Sequence, residues 1–335
     1  MEKRVRKKRL DRGIKARTDT IFMVASFKDM AYLLAPRVLP VALFLAIPLF
    51  LGPYSEKVFF HACVYGLLAL SFDFLASCGL FSLGQSLFFG IGCYFVGIYN
   101  HFLGLPIYLS IPFSSLSTGL LCAALLSPVV RLRGVYFAMI TLMLPMLLMR
   151  LIEATGVMGG THGMPGITGF PNEMLGLYLG IVSFLFFLFF LRKLMGSDYG
   201  LVLKAIKEDD RCVMSSAINI YWYKAQAVFI GASIGGFAGA ITTHHFQFIG
   251  MSSFALDYSI LPLAATALGG QGGFAGAALG SMILVPLSEV LRELGGLRMA
   301  LYCLILVASI LALPEGIFHF LSRQYSQFYT EAEVD

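Results

Sequence analysis

Long apolar runs alternate with short polar breaks along most of the chain. The runs fall at 38–53, 59–78, 84–101, 107–128, 135–152, 175–191, 225–244, 258–270, 274–291 and 298–314. A helix needs about 20 residues to cross the hydrocarbon core of a bilayer, with a range of roughly 17 to 25. Most of the runs come close to that length, but 258–270 is too short to cross alone and reads as a half-helix or re-entrant segment. Ten spans result if it crosses, and eight if 258–291 folds back as one re-entrant pair. The expected fold is therefore all-α, a polytopic membrane bundle of eight to ten helices.

The interruptions are as informative as the runs. The longest strongly polar interval after the first 37 residues is 196–224, GSDYGLVLKAIKEDDRCVMSSAINIYWYK. Ser197 or Asp198 is placed to cap a helix start by accepting backbone N–H bonds. Leu201, Val202, Ala205 and Ile206 share one predicted face. Lys204 and Glu208 stand four apart on the other, and Lys207 is within reach of Asp210 or Arg211. A short amphipathic helix outside the bilayer follows. A solvated interhelical loop and a docking element fit that pattern equally, because amphipathicity does not name a partner. Ahead of the first run, Met23, Phe27, Met30 and Leu34 recur at helical spacing and predict an interfacial helix over 21–34.

Composition supports the membrane reading. The chain is 58% hydrophobic and 13% charged, with a mean hydropathy of +0.81, whereas soluble domains carry roughly 25% charged residues. The net charge of +5 is concentrated at the start, where 11 basic and four acidic residues lie within the first 37. That tail predicts a cytoplasmic N-terminus in contact with anionic lipid, and not a nucleic-acid partner. The other breaks agree. Arg131, Arg133 and the six basic residues of 192–224 fall on the same side as the tail, while 153–174 and 245–257 hold no Lys or Arg. Both termini are expected inside; Arg292 and Arg298 are the misfits. The resulting division is a basic tail and interfacial helix at 1–37, a membrane domain at 38–318 and a cytoplasmic tail at 319–335.

Site chemistry is sparse. There is no phosphate-binding loop, no H-E-x-x-H and no C-x-x-C pair among the six cysteines, so no cofactor, metal site, disulfide framework or enzyme activity is expected. Asp73 lies inside the second run, where pairing with a hydroxyl or backbone group is the expected role. His244 and His245 are expected at the interface, and the stripe Met139, Met143, Met146 and Met149 is expected to pack. The loop at 156–171, GVMGGTHGMPGITGFP, reads as a lid, a docking surface or a plain connection. The glycine groups near 84–97, 231–239 and 269–280 predict close helix packing.

Several pieces in one order resemble a known family. YGLLALSFDFLASCGLFSLGQSLFFGIGCY (65–94), RLRGVYFAMITL (131–142), GGTHG (159–163), GLVLKAIKEDD (200–210), AINIYWYKAQAVFIGASIGGFAGAI (217–241), LGGQGGFAGAALG (268–280) and LPEGIF (313–318) carry it. The chain resembles inner-membrane permease subunits of ATP-binding-cassette importers, of the M-type branched-chain amino acid kind and the related urea kind. The resemblance implies one half of a pore that works by alternating access. It also implies a homologous H-type permease subunit, two cytoplasmic ATPase subunits and a periplasmic binding protein. Leu201, Lys204, Ala205, Ile206, Glu208 and Asp209 match the family's ATPase-coupling loop. Gln85, Ser86, Thr161, His162 and Gln271 are the polar residues expected along the substrate path. His162 stands where the family usually has asparagine, and Ser216-Ala217 where glycine is common. A stand-alone secondary transporter is the rival reading, and it lacks coupling-ion ligands in the runs.

Overall fold

The computed structural model describes residues 52–132 and 134–291, with short pieces at 7–8, 41, 44–50, 307, 316–318 and 330–331. The predicted interfacial helix at 21–34, most of the runs 38–53 and 298–314, and Arg133, Arg292 and Arg298 lie outside the described residues.

Eight of the predicted runs become helices. They are α1 Pro53–Ser77, α2 Gln85–His101, α3 Ile107–Leu126, α4 Val135–Thr155, α5 Glu173–Met195, α8 Ile220–Phe246, α9 Asp257–Gly269 and α10 Ala275–Val290. Between α5 and α8 the polar interval forms two short helices, α6 Asp198–Glu208 and α7 Asp210–Ser215. Local chemistry sets several boundaries. Pro53 opens α1, where its fixed φ suits the first turn and its missing N–H costs nothing. The Asn219 side chain accepts from the Trp222 N–H and caps α8, which starts that helix five residues before the predicted 225.

Among the described residues, six segments are long and apolar enough to cross a membrane, and one of them is 251–269. A single turn of 3₁₀ helix, Met251–Phe254, precedes α9 and brings that segment to 19 residues. The helix itself begins within one residue of the predicted 258, and the 3₁₀ turn is what adds length ahead of it. Segment α9 alone is 13 residues, about 20 Å at 1.5 Å per residue.

The core forms around α1 and α8. Helix α8 packs against α3, α2 and α1, and the α9–α10 pair packs against α1. Lipid tails are as apolar as the side chains, so close van der Waals packing and interhelical hydrogen bonds hold such a bundle together. Here glycine supplies the approach. A methyl group on Gly92 would stand 2.6 Å from the Gly236 Cα. Likewise Gly269 faces Gly276 and Gly280 faces the Ala265 carbonyl, a register that makes α9 and α10 an antiparallel hairpin. Hydroxyls add bonds between helices. Ser71 donates to the Gly231 carbonyl, Ser114 to Gly92 and Ser115 to Ser233, each at 2.8 Å. Such bonds average about 0.6 kcal/mol in a membrane bundle.

The bundle has two distinct ends. At one, Gly79, just past α1, lies against the backbone of Lys207 in α6. At the other, where α8 finishes, the His245 ring stacks on Phe60 at 4.0 Å and Phe246 stacks on His61 at 5.2 Å. His244 is fully buried, between the Ser110 hydroxyl and the Thr168 carbonyl. His244 thus packs inward at the end of the helix, and His245 is half-buried against Phe60.

Candidate functional site

The polar interval that opened the question is a two-helix clasp. Its amphipathic face differs from the predicted one. Gly200, Leu203 and Ile206 are buried, whereas Leu201 and Ala205 are exposed with Lys204, Glu208 and Asp209. The buried set recurs at three residues, and the chain places that stripe against its own helices. Of the predicted apolar face, Ile206 alone is fully buried, Val202 is half-buried, and Leu201 and Ala205 point away from the bundle. The Ser197 hydroxyl does not cap α6; it donates back to the Leu194 carbonyl at 2.6 Å.

Three contacts fix the clasp to the bundle. The Lys224 ammonium donates to the Asp210 carboxylate at 3.1 Å, with both side chains largely buried. The Tyr199 and Tyr223 rings stack at 5.5 Å. Burial pushes the Tyr199 hydroxyl up to about 12. Lys207 closes against Gly79, whose φ of +77° favours glycine. Asp209 separates the two helices and caps α7. Its carboxylate accepts from the Arg211 N–H at 2.8 Å and from the Cys212 thiol at 3.2 Å. The Arg211 backbone bond, more than the thiol, holds this exposed carboxyl below the usual range.

The same end carries a second device. Asp73, fully buried one turn from the end of α1, accepts from the N–H groups of Gly272 at 2.7 Å and Phe274 at 3.0 Å. The turn between α9 and α10 needs Gly270 and Gly272 at φ +102° and +86°, and Phe274 follows at +47°. A carboxylate that accepts two backbone donors offsets the cost of leaving them unpaired in an apolar interior. Asp73 therefore fills its expected backbone-pairing role, with a specific object: the glycine turn.

The predicted path residues are not brought together. Gln85 and Ser86 are fully buried at the start of α2, where the Ser259 hydroxyl accepts from the Ser86 N–H at 3.0 Å and donates to its hydroxyl at 2.9 Å. Thr161 and His162 are exposed in the loop after α4, and Gln271 is exposed in the glycine turn beside Asp73. That loop is more than a plain connection. Asn100 donates to the Thr168 hydroxyl at 2.6 Å and accepts from its N–H at 3.1 Å, and Met164–Pro165 pairs antiparallel with Phe248–Ile249. The meeting of Asn100, Thr168, Ser110 and His244 was not legible in the sequence, because they lie on four different elements. The methionine stripe also differs from expectation: Met139, Met143 and Met146 are exposed in this chain.

Comparison with known proteins identifies the family. The model for the branched-chain amino acid transport system permease component matches residues 54–313. The chain belongs to this permease family. As a member it is a multi-pass membrane protein and a transport subunit, not a catalytic one. Its relatives include the high-affinity branched-chain amino acid transport system permease protein LivM of Salmonella typhimurium LT2. That protein is 26% identical over 325 residues, covering 88% of this chain and 76% of the relative. The LivM protein of Escherichia coli K12 has the same identity and coverage. A probable branched-chain amino acid transport permease protein LivM of Methanocaldococcus jannaschii is 29% identical over 146 residues, 40% of this chain and 41% of the relative. No solved structure matches. The family match begins at 54, after the basic tail.

Proposed function

We propose that this permease forms half of the pore of an ATP-binding-cassette importer for branched-chain amino acids, together with an H-type subunit. The single observation that carries the coupling role is the clasp. Its rear is anchored by Leu203, Ile206, the Tyr199–Tyr223 stack and the Lys224–Asp210 pair, and its front leaves Leu201, Lys204, Ala205, Glu208 and Asp209 uncovered. A surface loop has no need of such anchoring, whereas an element that receives force does. ATPase subunits pressing on α6 would act through Lys207 on Gly79 and α1, and through Asp73 on the glycine turn. The free energy for switching between two packings comes from the ATPases; the permease supplies the two packings.

The positive-inside pattern supports an inner-membrane location with the clasp and both termini in the cytoplasm. On that orientation the 156–171 loop faces a periplasmic binding protein. The residues 1–37 remain a lipid-contacting tail, and ten spans is the count that fits a hairpin reaching as deep as Asp73.

Co-purification with the ATPase subunits from host membranes tests this, comparing wild type with Ala205→Glu. The wild type is expected to retain the ATPases and the variant to lose them while keeping the wild-type elution profile. A wild type that brings down no ATPase overturns the coupling role and returns the chain to a stand-alone transporter. Uptake of leucine against urea by the reconstituted complex then separates the two substrate classes.

A further inference from the structure

A cavity of about 280 Å³ opens at the end of the bundle opposite the clasp, between α1, α8, α9 and α10. Its chemistry is unlike the rest of the interior. On α1, Tyr54, Lys57 and His61 line it at helical spacing, so one face of that helix brings a cation and two polar rings to the opening. Facing them, α10 contributes Glu289, whose carboxylate accepts from the Tyr54 hydroxyl at 2.8 Å. Leu261 and Val285 close the apolar side. The volume lies at the lower edge of the range for small-molecule sites, which is about 300 Å³ and upward.

We infer that this cavity is a binding site for a small zwitterion with an aliphatic body, that is, an aliphatic α-amino acid. An ammonium group needs an acceptor carrying negative charge, which Glu289 supplies. A carboxylate needs a cationic donor, which Lys57 supplies. The branched hydrocarbon end needs an apolar wall of matching size, which Leu261 and Val285 supply. Charged hydrogen bonds of both signs in one partly enclosed site select a zwitterion over either half of it. The inference rests on the importer reading for its choice of an amino acid. Membrane phospholipid with an ethanolamine headgroup presents the same pair of charges, and the experiment separates the two sources.

The test uses the permease purified with its partner subunits, without any soluble binding protein, in nanodiscs of phosphatidylglycerol. Tritiated leucine is expected to bind saturably. In the wild type, 4-methylpentanoate lacks the ammonium and 3-methylbutylamine lacks the carboxylate. Each is expected to compete at least about tenfold more weakly than leucine, the loss of one such contact being worth about that factor. Lys57→Gln and Glu289→Gln are each expected to weaken leucine binding about tenfold or more, with the ATPases still retained. The competition needs no variant, so it stands even where a substitution disturbs folding. Equal competition by the two half-ligands overturns the site. So does unchanged affinity in both variants. Loss of leucine binding when phosphatidylethanolamine replaces part of the disc lipid assigns the cavity to the headgroup and overturns the amino acid site. If, in proteoliposomes supplied with the binding protein, wild type and both variants take up leucine equally while no binding is seen in the discs, the cavity fails and the importer reading stands. If the wild type holds no ATPases, the importer reading itself fails.

Discussion

Helices α1 and α4 are both long and apolar enough to cross a membrane, yet the chain treats them differently. The most apolar window of α1 is 78% buried within the bundle and that of α4 only 22%. Hydropathy does not separate them; the small and polar residues do. Helix α1 carries Gly66 against the Phe184 ring, Ser71 bonded to Gly231, and Asp73 bonded to the glycine turn. Each of these draws in a different helix. Helix α4 is anchored at few points, chiefly by the buried Phe137 and by the Thr141 hydroxyl, which accepts from the Leu83 N–H at 3.1 Å. Beyond them it presents methionine and leucine outward. In a solvent that is itself apolar, position in the bundle follows from what can approach closely and what must be hydrogen-bonded, not from how greasy a helix is.

The comparison breaks most sharply at Gly66. A β-carbon there would stand 2.5 Å from the Phe184 ring and 2.9 Å from the Ser281 hydroxyl. Gly66→Leu is expected to cost about 3 kcal/mol or more through overpacking. Fluorescence-detected size exclusion after heating measures it; an unchanged melting midpoint would show that α1 is not tightly enclosed. Next comes Asp73. Asp73→Ala leaves the Gly272 and Phe274 donors without that acceptor, at about 1–3 kcal/mol for each orphaned group. Asp73→Asn keeps one acceptor oxygen and is expected to fall between alanine and wild type on the same thermal assay. Equal stability of all three would remove the turn-capping role. The smallest effect is expected at Met143, 60% exposed on α4. Met143→Leu should shift stability by less than about 0.5 kcal/mol. A larger loss would mean that α4 is enclosed as α1 is.

Much of the membrane architecture was legible in the chain. Run lengths located eight of the ten described helices, and errors at their limits came from serines and tyrosines that helices accept but hydropathy averages discount. The island at 196–224 was legible as helical and amphipathic from its spacing. Its true buried stripe was not, since Leu203 and Ile206 on one side and Leu201 and Ala205 on the other are equally good apolar faces until a neighbour chooses between them. The expected path residues lie apart in this chain for a related reason. Polarity in apolar surroundings marks Gln85, Thr161 and Gln271 alike, but carries no information about which will meet.

By itself, then, the sequence determined the class of solvent, the approximate spans, the family and the charged helix set between two of them. These follow from local runs and spacings, which the bilayer reads one segment at a time. Tertiary structure alone decided that α1 lies inside and α4 outside, that Asp73 serves a turn some 200 residues away, and that Lys57 and Glu289 face one cavity. Such outcomes depend on contacts between segments far apart in the chain, and no local pattern encodes which distant backbone a glycine or a carboxylate will meet.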